Sequence, residues 1–266
     1  MKREKLRIGV FDSGLGGLTV VQAMTKVIKG AKLFYIADTK NAPYGEKTST
    51  QILQYSLNIA KYFIDNHDID ALIIACNTAT SAAIKQVREK YPKLIVIGTE
   101  PGIKPAIEQT VTGKIGVLAT PATLKGEKYQ ELVDFLSKDK NLTLFEQACP
   151  GLVEQIEKGE GNSTDTKEML ERWLSPMREN NVDTIVLGCT HYPLVCDMIE
   201  EIMLRRLNLV HTGDAIAKRL LSLAKEIGHK NEGDLEINLY HTGVINKNTV
   251  QILLESTGEL MHISID

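Results

Sequence analysis

No stretch of the chain approaches the roughly 20 consecutive apolar residues that a membrane-spanning helix needs, so a helical membrane protein is excluded. Charge of one sign is equally scarce. The 31 Lys and Arg nearly balance 34 Asp and Glu, and Arg205-Arg206 is the only adjacent arginine pair. Such a pair reads as a solvated helix face rather than a nucleic-acid footprint. Neither a nucleic acid nor a membrane surface is therefore an expected partner. The first residues run from charge straight into a strand-length apolar segment, with no small-residue cleavage site after it. No secretory signal is expected from that pattern, and the expected location is the cytoplasm.

Cysteine is sparse: Cys76, Cys149, Cys189 and Cys196 are the only four. No two stand as Cys-x-x-Cys, which excludes a thioredoxin-like site and a zinc ribbon. An even count does not imply disulfides in a reducing cytosol. A Walker sequence is absent, and the dinucleotide fingerprint is incomplete. In Asp12-Ser13-Gly14-Leu15-Gly16-Gly17 the first two glycines fit, but the third falls at Thr19. No Cys-x5-Arg follows either Cys76 or Cys189, which disfavours a thiol phosphatase. No lysine is singled out for pyridoxal phosphate. No cofactor is expected.

With 43% hydrophobic residues in 266, the chain is long and apolar enough for one large or two ordinary domains. Short apolar runs alternate with amphipathic segments. Leu6 to Phe11, Leu33 to Ala37, Ala71 to Ala75 and Leu94 to Gly98 read as buried strands. Val20, Val21, Met24, Val27 and Ile28, and then Ile52, Ile59, Ala60 and Phe63, recur at helical spacing. This alternation predicts an α/β fold with parallel sheets flanked by helices.

The pattern then restarts. Ile8-Gly9-Val10-Phe11-Asp12-Ser13 is echoed by Ile115-Gly116-Val117-Leu118-Ala119-Thr120. Ile69 through Thr78 aligns without gaps on Val182 through His191, which sets Cys76-Asn77-Thr78 against Cys189-Thr190-His191. Two echoes in the same order predict two similar domains related by a pseudo-twofold, with an active site in the cleft between them. Residues after about Leu209 carry a strand at 209–211, a helix from Asp214, a strand near 237–240 and a helix near 250–254. They are too few for a third domain and are expected to complete the first sheet. The expected division is 1–98 plus 210–266, and 99–209.

In open parallel sheets, ligands bind beyond the carboxyl ends of the strands. Asp12-Ser13, Cys76-Asn77-Thr78, Thr120 and Cys189-Thr190-His191 all stand at such ends. Two opposed thiols suit racemisation, which needs a base on one face of a carbon and an acid on the other. A thiolate and a thiol serve both directions by exchanging roles. Asp12 and His191 are the proton partners expected for Cys76 and Cys189. A single cysteine after an apolar strand is most often a buried structural residue. The pairing argues otherwise for Cys76 and Cys189, while Cys149 and Cys196 keep the structural reading. Alone, His191 reads as a satisfied core histidine, and the glycine-rich turn as a tight turn that can also cradle an anion. A zinc site from Cys76, Cys189 and His191 fits no familiar ligand spacing.

Four segments carry a resemblance. Ile8 through Gly17, Ala42-Pro43-Tyr44-Gly45, Ala75-Cys76-Asn77-Thr78-Ala79 and Leu187-Gly188-Cys189-Thr190-His191-Tyr192-Pro193 are similar to the ordered motif set of the glutamate racemases. The resemblance spans nearly the whole chain. It implies a two-domain, cofactor-independent enzyme that supplies D-glutamate for peptidoglycan, with glutamate as its small-molecule partner and a homodimer as an allowed assembly. It implies Cys76 and Cys189 as the proton donors and acceptors. It implies Asp12, Ser13, Tyr44, Gly45, Asn77, Thr78, Thr120, Thr190 and His191 as substrate-binding residues. It also implies a catalytic acidic residue in the segment Ala148 through Glu157. There the usual second proline is missing, Glu154 stands near its place, and Glu157 is the match. His211-Thr212-Gly213-Asp214 departs from the more frequent Asp-Ser-Gly form. No Arg or Lys lies in these motifs, so hydroxyls and backbone N–H groups are expected to hold the substrate carboxylates. Aspartate is the alternative substrate. A non-catalytic anion-binding module and a zinc hydrolase are the alternatives from other classes.

Overall fold

The computed structural model describes residues 5–136, 141–254 and 260–265. In chain order the elements of the first stretch are β1 (Leu6–Asp12), α1 (Leu18–Thr25), β2 (Ala31–Ala37), α2 (Ser49–His67), β3 (Ala71–Ile74), α3 (Asn77–Lys90) and β4 (Ile95–Gly98). A second set follows: α4 (Ile103–Gln109), β5 (Lys114–Ala119), α5 (Pro121–Leu124), α6 (Glu127–Leu136), β6 (Thr143–Ala148), α7 (Leu152–Glu157), α8 (Thr164–Glu179), β7 (Thr184–Gly188), α9 (Cys196–Met203) and β8 (Asn208–Val210). The chain ends with α10 (Gly213–Glu226), β9 (Leu235–His241), α11 (Lys247–Leu254) and β10 (Leu260–His262). It divides into two compact units, Met1–Thr99 with Thr212–Asp266, and Glu100–His211.

The first unit is built on a six-stranded sheet in the order β10-β9-β2-β1-β3-β4, and the second on a four-stranded sheet, β6-β5-β7-β8. Every adjacent pair is parallel. The order β2-β1-β3-β4 is thus repeated as β6-β5-β7-β8. The repeat extends to register: Ile8 faces Ala71 across β1 and β3, and their counterparts Ile115 and Thr184 face each other across β5 and β7. The echo in the sequence is therefore an echo in the fold.

Parallel sheets covered on both faces need strands that are apolar on both sides. β1, β3 and β7 satisfy this, with nearly every residue buried. In the first unit Phe11, Phe34, Ile36, Leu72 and Ile74 pack against the Ile52, Ile59, Ala60 and Phe63 face of α2 and against Ala83 and Val87 of α3. In the second, Leu118, Ile185 and Leu187 meet α7, α8 and α9, while Ile115, Val117 and Val186 point the other way onto α4 and α6. That alternation is the period of two expected of a strand. Equivalent glycines allow close helix approach in both units. A Cβ on Gly9 would meet the Phe63 ring of α2 at 2.9 Å, and one on Gly116 would meet Met177 Sδ of α8 at 2.7 Å.

Local signals explain several boundaries. α2 opens with a capping box between Thr48 and Gln51, a motif whose loss costs about 0.5–2 kcal/mol. α1 stops at Thr25, so Val27 and Ile28, read from spacing as helical, lie in a turn that still buries Ile28. One expectation is corrected. The strand expected at 209–211 does not return to the first sheet: β8 pairs with β7, and its buried Val210 closes the second unit's core. β9 and β10 extend the first sheet beyond β2. Among the described residues, no helix is long and apolar enough to cross a membrane.

Candidate active site

The chemistry-bearing residues sit where strands end. In the first unit β1 ends at Asp12, which is fully buried. Its carboxylate is gripped by the glycine-rich turn: the Ser13 N–H donates to Oδ1 at 2.7 Å and the Gly17 N–H to Oδ2 at 2.6 Å. The Ser13 hydroxyl lies 3.4 Å from Asp12 Oδ1 and 3.9 Å from Cys76 Sγ. Cys76 is the N-cap of α3, and its sulfur accepts the Ala79 N–H at 3.5 Å. A helix N-terminus and an N–H donor both favour negative charge at that sulfur. The order thiol, hydroxyl, carboxylate makes one short proton route.

Asn77 and Thr78 follow in the first turn of α3, both buried. Neither Nδ2 nor Oδ1 of Asn77 has a hydrogen-bond partner among the described residues. A buried amide without partners is costly to a fold. Beside Cys76 it marks a group available to a ligand.

Tyr44 begins a short 3-10 turn, Tyr44–Glu46. Its ring is buried in the same cluster as Cys76. Its hydroxyl donates to Asp38 Oδ2 at 2.5 Å. Burial, followed by the charge and hydrogen bond of Asp38, pushes the phenol well above its ordinary range, so it stays protonated and donating. Asp38, immediately after β2, went unnoticed in the sequence. The signal was there, since it ends a parallel strand as Asp12 does.

The second unit carries a different arrangement. β7 ends at Gly188, and Cys189, Thr190 and His191 form the turn beyond it, all buried. His191 Nδ1 lies 3.7 Å from Cys189 Sγ, and Nε2 lies 2.6 Å from Oε1 of Glu157, the last residue of α7. Burial opposes a charge on the imidazole. Hydrogen bonds to the Cys189 thiol and the Glu157 carboxylate outweigh it and hold His191 well above its usual pKa. Thr120 caps α5, accepting the Thr123 N–H at 3.2 Å and sharing a 2.9 Å bond with the Thr123 hydroxyl.

The other two cysteines behave differently. Burial pushes the Cys149 thiol up to about 12 and the Cys196 thiol up to about 11, so both stay protonated. Cys196 is only half-buried, at the start of α9. His211, just before α10, and Asp214, in its first turn, are both exposed. Among the described residues, no group of three or more His, Cys, Asp or Glu is arranged to hold a metal ion.

Within each unit, then, the structure brings one cysteine together with a proton-passing neighbour and a carboxylate: Cys76, Ser13 and Asp12 in the first, Cys189, His191 and Glu157 in the second. Known proteins resemble the chain over most of its length. The family model described as Asp/Glu/Hydantoin racemase matches residues 8–220. A glutamate racemase of a Sulfurovum species is 66% identical over 260 residues, covering 98% of each chain. Among solved structures, a glutamate racemase from Bacillus anthracis superposes with a TM-score of 0.86 at 26% identity, over 98% of both chains. One from Francisella tularensis, solved in complex with D-glutamate, superposes with a TM-score of 0.84 at 29% identity, over 99% of both.

Proposed function

The chain belongs to the Asp/Glu/Hydantoin racemase family and within it to the glutamate racemases, and from that premise we propose that it interconverts L- and D-glutamate using Cys76 and Cys189 as its two proton-transfer groups. The observation that carries this reading is that each thiol has its own hydrogen-bonded route to a carboxylate. In one direction the thiolate of one cysteine takes the α-proton, leaving the electron pair on the α-carbon. The thiol of the other then delivers its proton to the opposite face. The enzyme finishes with the two protonation states exchanged, ready for the reverse reaction.

Each positioned acid or base is typically worth about 100- to 10,000-fold. The remainder falls to stabilisation of the carbanion-like transition state by fixed donors. Asn77, whose amide has no partner among the described residues, and the hydroxyls of Ser13, Thr78, Thr120 and Thr190 are the groups assigned to the substrate, together with the Tyr44–Gly45 backbone. Hydroxyls and N–H groups accommodate two mirror-related poses better than a fixed guanidinium fork does. A protonated His191 places positive charge 3.7 Å from Cys189 Sγ, and Glu157 holds the ring in that role.

The proposed reaction uses no cofactor. Its product, D-glutamate, is a building block of peptidoglycan, which assigns the enzyme to cell-wall synthesis in the cytoplasm. The test is α-deuteration. Purified protein in D2O should convert either enantiomer to the other without added cofactor, the product carrying deuterium at the α-carbon. Cys76→Ala and Cys189→Ala should each abolish conversion. Full turnover by either variant would refute the two-thiol mechanism. A parallel assay on aspartate decides the substrate.

A further inference from the structure

Asp38 is a buried carboxylate that the proposed chemistry does not use. It is 2% exposed. Three neutral side chains converge on it. Tyr44 donates to Oδ2 at 2.5 Å, Thr242 donates to Oδ1 at 2.7 Å, and the Asn41 amide reaches both oxygens at 3.0 and 3.2 Å. The backbone joins in. The Asp38 N–H donates to the Asp12 carbonyl at 2.9 Å, and the Asn41 N–H to the Asp38 carbonyl at 3.1 Å.

Thr242 arrives from the far end of the sequence, just past β9, and its hydroxyl oxygen also accepts the Lys40 N–H at 3.1 Å. The Gly243 N–H closes the seam by donating to the Thr39 hydroxyl at 2.9 Å. Gly243 has no room for a side chain there, since a Cβ would sit 2.8 Å from the Lys40 nitrogen. The segment from Asp38 to Tyr44 is thereby stitched to the ends of β1 and β9.

A buried carboxylate is expensive to desolvate, and a fold rarely needs one where a neutral residue would pack. What this one holds is informative. Tyr44 lies in the cluster that also contains Cys76, and it leads directly into Gly45. We infer that Asp38 is a positioning residue for the racemisation: with Thr242 it fixes the Tyr44 ring, and through it the Tyr44–Gly45 backbone that receives the substrate. This inference rests on the glutamate reading above. It assigns Asp38 no contact with the reacting atoms.

The experiment compares Asp38→Asn, Tyr44→Phe, the double variant and Thr242→Val with wild type, measuring kcat and KM for both enantiomers and melting temperature. A hydrogen bond to a buried charge is worth enough that Asp38→Asn should raise KM about ten-fold in both directions, with kcat falling much less. Tyr44→Phe should do the same. The double variant should be no worse than the worse single one, because both break one device. Thr242→Val should shift KM in the same direction by less. A merely structural aspartate would lower the melting temperature and the active fraction, read as lower kcat at unchanged KM, and that result overturns the proposal. So do additive effects of Asp38→Asn and Tyr44→Phe. If Asp38→Asn does not fold, unchanged KM in both Tyr44→Phe and Thr242→Val overturns it equally. Absence of α-deuteration by the wild-type protein would instead sink the racemase reading itself.

Discussion

Glu157 Oε1 sits 2.6 Å from His191 Nε2, and the other nitrogen of that ring lies 3.7 Å from Cys189 Sγ. A carboxylate, an imidazole and a thiol thus stand in series within the second unit. The first unit reaches a carboxylate from Cys76 through a hydroxyl instead. The two routes differ in one respect that matters. A hydroxyl stays neutral throughout the working pH range, whereas an imidazole titrates within it. The proton chemistry on the Cys189 side should therefore carry a pH dependence that the Cys76 side lacks.

Glu157→Gln tests this dependence. Burial works against a charged His191, while its hydrogen bonds to Cys189 and Glu157 raise its pKa above the ordinary value. For a raised imidazole, the stabilised charged form is fully present below the unfolded value of about 6.5 and is lost as pH rises through the folded value. Removing the Glu157 charge removes one of the raising contributions. The alkaline limb of kcat should then move to lower pH. Because Glu157 acts on the thiol only through His191, kcat at its optimum should fall by less than about 100-fold. An unmoved alkaline limb would mean that His191 does not carry the titration.

Gly17→Ala tests the grip on Asp12. A Cβ at Gly17 would stand 2.7 Å from Asp12 Cβ, 3.0 Å from Tyr35 Oη and 3.1 Å from Ala75 Cβ. The surrounding strand ends are fully buried and have little freedom to yield. Overpacking of this kind costs about 1–3 kcal/mol. It should also break the 2.6 Å bond from the Gly17 N–H to Asp12. Urea denaturation should show the loss of stability, accompanied by a fall in kcat. Wild-type stability and activity together would show that the turn is looser than its geometry indicates.

Asp183 is expected to control acid stability of the second unit. Its carboxylate accepts from the Thr110 hydroxyl at 2.6 Å and from the Val111 and Thr112 N–H groups at 2.8 Å each. Burial alone would raise its pKa, but these hydrogen bonds together lower it. A lowered carboxylate contributes stability that is present above the unfolded value of about 3.9 and lost as pH falls through the folded value. Asp183→Ala should cost about 1–3 kcal/mol at neutral pH, and its stability should decline less steeply toward acid. Denaturant midpoints at neutral and acid pH measure both. Parallel acid curves for variant and wild type would contradict the assignment.

What the sequence revealed and what it hid follow from how local each signal is. The strands that lead to Asp12, Cys76, Thr120 and Cys189 are buried on both faces, so they stand out as apolar runs, and their echo anticipated two similar units but not the strand order and register those units share. β6 escaped notice because it is a partly exposed edge strand with Thr143, Glu146 and Gln147 among its six residues. β8 was expected in the wrong sheet because three residues do not encode their pairing partner. Glu154 and Glu157 were hard to separate by motif alone. The helix separates them, since α7 ends on the residue whose carboxylate reaches His191. The Asp38 network was invisible for a different reason: its partner Thr242 is 204 positions away, and no local pattern announces a contact of that span.

Asn77 offers the sharpest separation of function from stability. It opens α3 beside Cys76, is 5% exposed, and finds no partner for either side-chain polar atom among the described residues. Leaving a buried amide unpaired costs about 1–3 kcal/mol. Alanine removes that cost and is the better helix former. For a residue serving only the fold, Asn77→Ala should therefore be neutral or stabilising. If the amide instead meets the substrate, the same change should raise KM for both enantiomers by about ten-fold or more, since the lost bonds go to a charged ligand. Both effects are expected together: a melting temperature equal to or above wild type, and a weakened KM. Calorimetry and initial rates on one preparation read them side by side. A lowered melting temperature with unchanged KM would show that the amide supports the helix rather than the substrate.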